Sequence, residues 1–517
     1  MRELYFTISE QLAGGLRRDS RSRVNTLDLE VCSGMKTCPF GLTRLAPAAA
    51  PEFSITKNWP YPQIFRRGLD RVILNSGSVV YASEAGGSFF LQEQSLYYLN
   101  NVSTLASITQ SGQPWEFVEL GKIWFASNGA CVVLAHPLNS LGTAGSYVLS
   151  GLSVQGICYY ADRLILGGLQ GSSLFTDRFQ SVWNRWKTFV NDFVPSEDEL
   201  ELGNWILYSS RQGGDIRMPF LLELGILNQL DDTLDNTISD FYIKMIEERE
   251  IGILYVPDAG LVKAVRPLGE HLIIFGQHRN YAARLGIDGW AFEEISCPAI
   301  GERGLLCGDE KEIVYIDREG WLWKLAQGTA PLRLGYKEYL APLRKNTTVC
   351  LFEEEERDFI ISSSDKAYVY NNGLGEVKKS LSALVPLPGG FEGVEHRTDD
   401  GLVEIVTSPF HLNITGLKTI SSIHLYQRGL SNIGVSIYYR FKEQDPWELS
   451  NTYWVTDEGV ANTFVAGVEF KVRITASADT DAALEGIRVQ YKVDDKRQIR
   501  GAYGIAKQGR DESTDAG

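Results

Sequence analysis

The sequence contains few of the features that mark membrane-spanning or disulfide-rich secreted proteins. It has only 7 cysteines and 4 methionines among 517 residues, and the cysteines are scattered. No apolar stretch approaches the about 18 residues of a membrane-crossing helix, so we expect no membrane insertion by this chain. An odd, dispersed set of cysteines differs from the dense even framework of a small secreted domain and predicts reduced core thiols.

The residue patterns of common catalytic and metal sites are also missing. The 6 histidines are dispersed and none stands beside a cysteine cluster. Cys32 and Cys38 are spaced too widely for a typical zinc pair and have no second pair nearby. The glycine-rich segment 167–171 lacks the lysine of a phosphate loop, and no Gly-x-Ser-x-Gly elbow occurs. We therefore predict no metal, no cofactor and no catalytic residues, and we expect a protein that is not an enzyme.

The sequence also has fewer positively charged residues, 50 Lys and Arg, than negatively charged residues, 65 Asp and Glu. The formal net charge of −15 argues against a general affinity for phosphate backbones, because such binding depends on cations that displace counterions. An acidic wall would instead repel a passing phosphate polymer and let it slide. The composition therefore permits DNA to pass close to the protein without being held.

What the sequence does contain is a recurring β-phrase. A polar residue precedes three or four apolar β-formers, a Gly, Ser or Asn turn follows, and a second apolar segment comes next. The copies return at intervals of about 40–50 residues, which is the length of one propeller blade. Single hairpins cannot bury both faces, whereas radially stacked sheets can. The phrases begin at Asp70, Gly121, Asp162, Asn204, His271, Glu312 and Asp358.

These patterns predict an all-β chain that contains a β-propeller of about six or seven blades. After Pro386 the strands become short and alternate between apolar and polar residues, which favours an antiparallel sandwich. The first fifty or so residues lack periodicity and favour an extended arm. The predicted parts are an N-terminal arm at 1–58, a propeller at 59–390 with a helical insertion near 231–250, a C-terminal β-sandwich-like domain at 391–500 and a polar tail at 501–517.

Two stretches of this sequence resemble a known family. The segment Glu248–Gly269, preceded by Asp162-Arg-Leu-Ile-Leu-Gly-Gly, and the ending from Tyr491 to Gly504 are similar to the β-propeller nozzle or hub proteins in the tails of short-tailed bacteriophages. The resemblance spans most of residues 60–504 in its order of elements.

The resemblance implies a mechanical role in the virion. Several copies would form a ring that extends the DNA exit channel below the portal and adaptor, with genomic DNA passing non-specifically and with tail fibre or spike proteins as further partners. Candidate residues follow from this expectation. The channel-facing acidic patch would be Glu353, Glu354, Glu355 and Glu356, and inter-subunit or adaptor contacts would involve Arg17, Arg18, Arg21, Trp183 and Trp186.

Two other classes of function remain open. A propeller carbohydrate-active enzyme or lectin would place acidic residues in a central channel, and Asp70, Asp162 and Asp358 recur at equivalent places in their phrases. Acidic residues at such positions are more often turn caps. A cellular propeller scaffold is the third class, and it predicts a cytosolic partner in place of a virion.

Overall fold

The computed structural model describes long continuous parts of both halves of the chain. These are residues 4–16, 28–44, 152–171, 202–209, 252–256, 258–286, 289–302, 305–343, 349–353, 357–363, 366–377, 401–410, 412 and 416–493, together with Gly129 and the strands of residues 53–148 and 384–393 given below.

The chain folds into two compact units. Unit 1 combines Met1–Pro47, Asp365–Leu381 and His396–Gly517, and unit 2 combines Ala48–Ser364 and Ser382–Glu395. Strands are numbered in chain order. The first segment of unit 1 contains β1 (Leu4–Ile8), α1 (Glu10–Gly14), β2 (Leu29–Ser33), β3 (Lys36–Cys38) and β4 (Gly41–Thr43).

Unit 2 is built from a series of antiparallel sheets. The short pair β5 and β6 comes first, followed by a five-stranded sheet of β7–β11 and four-stranded sheets of β12–β15, β16–β19, β20–β23 and β24–β27. The elements are β5 (Phe53–Ser54), β6 (Ile64–Phe65), β7 (Val72–Ile73), β8 (Val79–Ala82), β9 (Ser88–Gln92), β10 (Ser95–Tyr98), β11 (Ser103–Ser107), β12 (Glu116–Leu120), β13 (Ile123–Ser127), β14 (Val132–His136), β15 (Gly145–Val148), β16 (Leu152–Tyr160), β17 (Arg163–Gly171), a 3₁₀ turn (Leu202–Asn204), β18 (Trp205–Tyr208), β19 (Gly252–Tyr255), β20 (Val262–Leu268), β21 (His271–Gly276), β22 (Asn280–Gly286), β23 (Gly289–Ile295), β24 (Leu306–Gly308), β25 (Glu312–Ile316), β26 (Leu322–Ala326), β27 (Leu332–Gly335), α2 (Lys337–Leu340), β28 (Val349–Glu353) and β29 (Asp358–Ser362).

The remaining elements complete both units. Strands β32 and β33 form a hairpin in unit 2, and the others belong to unit 1. They are β30 (Ala367–Tyr370), β31 (Leu374–Val377), β32 (Leu384–Leu387), β33 (Gly390–Gly393), β34 (Leu402–Thr407), β35 (Lys418–Arg440), β36 (Glu448–Leu449), β37 (Tyr453–Trp454), β38 (Val460–Gly467) and β39 (Glu469–Val493).

Strand β21 shows how the sheets of unit 2 pack. All but its first residue are buried, although side chains alternate between two faces. Leu272 and Ile274 join a core shared with the β16–β19 sheet. Ile273 and Phe275 join a different core shared with the β24–β27 sheet. The middle sheet is therefore buried on both faces by its sequence neighbours, as a propeller blade is.

The first strands of neighbouring sheets come closest to each other. At Gly156 of β16, an added Cβ would lie only 2.7 Å from the backbone nitrogen of Val265 and 2.8 Å from Cα of Ala264, both on β20. β16 also contacts the preceding sheet, where Ser127 Oγ at the end of the second strand, β13, donates a hydrogen bond of 2.5 Å to Val154 O. Sheets that meet at their first strands are arranged around a common axis, so unit 2 is a β-propeller.

Most of the predicted phrases lie at equivalent places in this propeller. The phrases from Gly121, Asp162, His271 and Glu312 supply the second strand of successive sheets. The Asn204 phrase is different, because its strand β18 pairs with β17 and is the third strand of the sheet that already contains the Asp162 phrase. The described residues of unit 2 thus contain five sheets of four or more strands and the hairpin β28–β29.

Unit 1 is a sandwich-like fold organised by two long, bent strands. Strands β35 and β39 pair along most of their lengths. At one end β38 and β1 flank this pair, and at the other end β36, β37 and β34 flank it. Between the layers, the Phe6 and Phe410 rings stack at 5.5 Å, and Phe410 lies 6.2 Å from Phe470. The C-terminal strands therefore form the expected antiparallel β-sandwich-like region.

The N-terminal residues differ from the predicted extended arm. Strand β1 pairs with β39, β2 pairs with β34, and Leu12 and Leu16 are buried. The strands of this segment are short, so their apolar residues carry little periodic signal, and their partners lie more than 350 residues away in the sequence. Residues 4–16 and 28–44 are consequently part of the sandwich unit.

The helix predicted near 231–250 and the polar tail at 501–517 lie outside the described residues. The predicted boundary between propeller and sandwich also differs from the structure. Residues 365–381 belong to unit 1, and residues 382–395 belong to unit 2. Composition changes near Pro386, but it cannot reveal that the chain enters the sandwich, leaves it and then returns.

Arg357 connects the hairpin β28–β29 to the neighbouring sheet. Its guanidinium donates hydrogen bonds to Asp309 at 2.9 Å and to Glu312 at 2.8 Å. Burial alone would raise the pKa of Asp309, but hydrogen bonds from Arg357 and from the backbone of Glu312 and Lys311 outweigh it and lower the pKa. The pair is partly exposed, so we treat it as a moderate contribution to stability.

Replacing Arg357 by alanine should lower the free energy of unfolding of the protein by about 1–3 kcal/mol, because two partly buried carboxylates each lose one charged hydrogen-bond donor. Urea unfolding followed by circular dichroism measures this change. The matched control is Arg333→Ala, which removes an exposed cation–π contact with Trp321 and should cost less than about 1 kcal/mol. Equal effects of the two substitutions would contradict the expectation.

Candidate interaction surface

Four strands of unit 1 form a sheet with one face towards the core. Their order is β38, β35, β39 and β1. One row across the sheet joins Phe6, Val489, Ile423 and Ala461, and the last three of these side chains are fully buried. This row faces the core.

The neighbouring row faces outwards. It joins Tyr5, Gln490, Ser422 and Asn462, and Tyr5 and Asn462 at its two ends are exposed. The next outward row joins Thr7, Arg488, His424 and Val460. Because side chains alternate along each strand, these positions share one surface of the sheet.

A hydrogen-bonded trio lies at the centre of this surface. The Ser422 hydroxyl donates to Gln490 Oε1 at 2.6 Å, and its oxygen lies 3.0 Å from His424 Nε2. A hydroxyl has a single hydrogen, so His424 Nε2 is the donor to Ser422 in this arrangement. The three side chains thus hold one another in place on the sheet.

Aromatic rings surround the polar trio. The guanidinium carbon of Arg488 lies 3.9 Å from the centre of the Tyr5 ring. Tyr426 packs over Gly486, where an added Cβ would meet Tyr426 Cδ2 at 3.2 Å, so its ring lies close to the sheet. Phe464 on the edge strand β38 is 82% exposed. Exposed aromatic rings with a nearby arginine are typical of the centres of protein interfaces.

The charge of this surface is opposite to that of the chain. The strand segments that form it are 4–8, 418–426, 460–467 and 486–493, and none of them contains Asp or Glu, although the chain has 65 acidic residues. Their outward positions carry Arg488 and Lys492, whereas Lys418 is buried, and exposed Asp457, Glu458 and Glu485 border the segments. We call the outward positions Tyr5, His424, Tyr426, Phe464, Arg488 and Lys492 the basic face.

A second surface of unit 1 has the opposite character. The segment 441–449, which ends with β36, exposes Phe441, Glu443, Glu448 and Leu449, which we call the acidic lip, and also Lys442. A hydrogen bond from Tyr439 to Glu448, together with burial, raises the pKa of Tyr439. The lip thus combines two apolar side chains with two carboxylates.

Trp447 anchors the acidic lip to the sheet. Its ring lies 4.5 Å from the guanidinium carbon of Arg440 and 4.3 Å from Nζ of Lys471. Arg440 is also ion-paired with the buried Glu469, and Lys471 with Glu30 at 2.7 Å. These contacts fix the base of the connection, so the exposed residues of the lip are presented from a rigid support.

Of the exposed large apolar side chains in the described part of the chain, most belong to unit 1. Besides the two surfaces above, this unit exposes Phe40, Leu402 and Trp454, whereas unit 2 exposes Phe292 and Leu332. Trp454 lies on β37, which a turn at 456–459 joins to β38. Contiguous exposed apolar side chains mark sites where proteins associate.

The contact residues predicted from the sequence fall almost entirely outside the described residues. This applies to Glu354, Glu355, Glu356, Arg17, Arg18, Arg21, Trp183 and Trp186. The backbone of Glu353 ends β28 and pairs with Asp358. These candidates remain predictions.

The recurring acidic residues of the phrases occupy different settings. Asp162 lies in the turn between β16 and β17 and accepts a 2.6 Å hydrogen bond from the Tyr159 hydroxyl. Asp358 is fully buried at the start of β29. Asp70 lies outside the described residues.

The described cysteines show no disulfide among themselves, and burial, with the charge of Glu376, raises the pKa of the Cys32 thiol to about 12. Within the described ranges, no three His, Cys, Asp or Glu side chains come together in a way that could hold a metal ion. None of the helices in those ranges has the length and apolarity needed to cross a bilayer.

Comparisons with known proteins add little to this description. No family model and no curated protein matches the sequence. Among solved structures, Hsv2 of Kluyvelomyces marxianus is 9% identical with a TM-score of 0.27, and the alignment covers 50% of this chain and 57% of that chain. The Pan2 WD40 domain of Neurospora crassa is 7% identical with a TM-score of 0.32, covering 66% of this chain and 87% of that chain. The propeller assignment rests on the strand pairings.

The basic face was missed from the sequence, although part of its signal was visible. The absence of Asp and Glu from 418–426, 460–467 and 486–493 can be read directly. What the sequence does not reveal is that these segments, together with residues 4–8, lie side by side in one sheet. The pairing of β1 with β39 brings residues 4–8 beside the other segments and so completes the surface.

Lys418, the first residue of β35 in the same sheet, is fully buried. Burial lowers its pKa, while the charge of Glu469 acts in the opposite direction. The unfolded chain therefore binds more protons than the folded chain between the lowered pKa and the ordinary lysine value of about 10.4. The contribution of Lys418 to the free energy of unfolding therefore rises with pH across that range.

A comparison of Lys418→Met with the natural chain tests the direction of this pH dependence of stability. As the pH rises from neutral towards about 10, the urea midpoint of the natural chain should increase relative to that of Lys418→Met. Lys366→Met is the control, since that lysine is exposed and pairs with Glu376 at 3.6 Å. A difference in urea midpoint between Lys418→Met and the natural chain that stays constant with pH would contradict the expectation.

Proposed function

We propose that the protein is a structural component of the tail of a short-tailed bacteriophage, a nozzle or hub whose copies form a ring around the DNA exit channel. The observation that supports this most strongly is that unit 1 carries two complementary surfaces, the basic face and the acidic lip. A protein with both surfaces can bind its own copies repeatedly. The order of elements, a propeller with a sandwich, agrees with the family resemblance.

The charge balance also suits a DNA channel. A net charge of −15 gives the assembled ring a strongly negative potential, which repels phosphate and opposes tight DNA binding. Such a ring would conduct or retain the genome without sticking to it. Adaptor and tail fibre or spike proteins would be its neighbours, the virion its location and the host cytoplasm its place of synthesis, and its role would be assembly and not turnover.

Negative-stain images of the purified chain test this proposal. We expect closed rings with an axial opening, and we expect duplex DNA to bind weakly even at low salt. Monomers at micromolar concentration, or a ring that holds duplex DNA tightly, would contradict the proposal.

A lectin is the second candidate, and one observation favours it. The flat Tyr426 ring lies on the same surface as the amide side chains of Asn462 and Gln490, an arrangement that could stack on and hydrogen-bond to a sugar. A glycan array separates the two functions. Specific glycan binding that is lost in Tyr426→Ala, by a chain that stays monomeric, would favour the lectin.

A further inference from the structure

We propose that the basic face of one copy packs against the acidic lip of the next copy, so that the sandwich units assemble head to tail. This inference rests on the proposed ring function and names the contact that builds the ring. The occupant of the basic face is thus a second copy of this chain. Both surfaces belong to unit 1, so every copy of the chain has one basic face and one acidic lip.

Charge complementarity selects this pairing. Arg488 and Lys492 lie among strand segments that contain no acidic residue, whereas Glu443 and Glu448 are exposed on the lip. Opposite potentials across an interface favour encounter and suppress wrong partners. An acidic chain offers many carboxylates to a basic face, but the lip also offers apolar side chains beside them.

The same charges disfavour a two-fold dimer through the basic face. In a two-fold contact the same patch appears on both sides, so Arg488 and Lys492 would approach their own counterparts. Like charges placed together oppose binding. A contact between two different patches is heterologous, and heterologous contacts close into rings when the rotation between copies allows it.

Apolar side chains supply the interface core. Phe464 and Tyr426 on the basic face would meet Phe441 and Leu449 on the lip, all four of which are exposed in the single chain. Aromatic residues and arginine contribute most of the binding free energy in typical interfaces. The charged residues would then lie towards the rim, where they set orientation.

The two surfaces are held at a fixed separation. Strand β35 runs through the sheet of the basic face at its start and reaches Arg440 at its end, directly before the lip. Arg440 packs on Trp447 and pairs with Glu469. A rigid connection of this kind fixes the angle between successive copies and lowers the cost of ordering the lip on binding.

Mass photometry of the purified full chain and four variants tests the inference. The natural chain should form one closed oligomer. Arg488→Glu and Phe464→Ser should each raise the dissociation constant for assembly by about tenfold or more. Arg333→Glu makes the same charge change on unit 2 and should leave assembly unchanged. The double variant Arg488→Glu with Glu443→Arg should recover much of the lost assembly.

The outcomes separate the inference from the function on which it rests. A natural chain that is monomeric, or that grows into open filaments, overturns the ring proposal itself. A natural ring that survives both Arg488→Glu and Phe464→Ser overturns the contact while leaving the ring. Failure of Glu443→Arg to restore assembly overturns the lip as the partner. Since Phe464 is exposed, Phe464→Ser should keep the thermal midpoint of the natural chain when both are measured at a concentration low enough to be monomeric, which excludes misfolding as the cause.

Discussion

Gly156→Ala should lower the free energy of unfolding of the protein by about 2–3 kcal/mol. The new methyl group would lie 2.7 Å from the backbone nitrogen of Val265 and 2.8 Å from Cα of Ala264. Backbone atoms cannot rotate away as a flexible side chain can, so β16 and β20 must separate. The loss would fall on the contact between the first strands of two neighbouring blades.

Urea unfolding of Gly156→Ala and Gly286→Ala, followed by circular dichroism, measures this effect. Gly286 is the matched control, because an added Cβ there would find only Gly289 O, at 3.6 Å. The control should change the free energy of unfolding by less than about 1 kcal/mol. Equal stability of the two variants would mean that the blades do not meet at their first strands.

The largest loss is expected in the sandwich unit. Phe470→Ala should cost about 3–5 kcal/mol, because it removes a fully buried ring from between the two layers. Phe470 packs near Phe410, and the two residues also exchange backbone hydrogen bonds of 2.9 and 3.2 Å. The cavity would lie near one end of the β35–β39 pairing, where Phe470 is opposite Tyr439.

Phe464→Ala supplies the control for this substitution. It removes the same ring from a nearby strand, but the Phe464 side chain is exposed, so the monomer should keep its stability within about 0.5 kcal/mol. The comparison is made by urea unfolding at a protein concentration low enough to keep the chain monomeric. A small effect of Phe470→Ala would show that the two layers are not packed through this ring.

Much of the propeller could be predicted from the sequence because each blade repeats a local pattern. The segments after Asp162, His271 and Glu312 are short apolar runs with adjacent turns, and each forms the second strand of a sheet. The Asn204 phrase has the same local form, but it supplies the third strand, β18, of the sheet that contains the Asp162 phrase. A long insertion separates β17 from β18, so the hairpin partner of β18 could not be recognised from spacing alone.

The sandwich was only partly predictable, and the reason is the distance between paired strands. Alternation within 434–440 and 486–493 indicates strands, but it does not identify their partners. Strand β1 is five residues long and pairs with residues near the other end of the chain. Such non-local pairing depends on the whole fold, and so the basic face became visible only in three dimensions.

In the proposed assembly, copies of this chain form a closed ring through unlike surfaces of their sandwich units. An electron cryomicroscopy map of the purified natural chain tests it most directly. We predict a rotationally symmetric ring in which Arg488 and Phe464 of each copy contact the 441–449 connection of its neighbour. A map of isolated monomers, or of dimers related by a two-fold axis through the basic face, would contradict the claim.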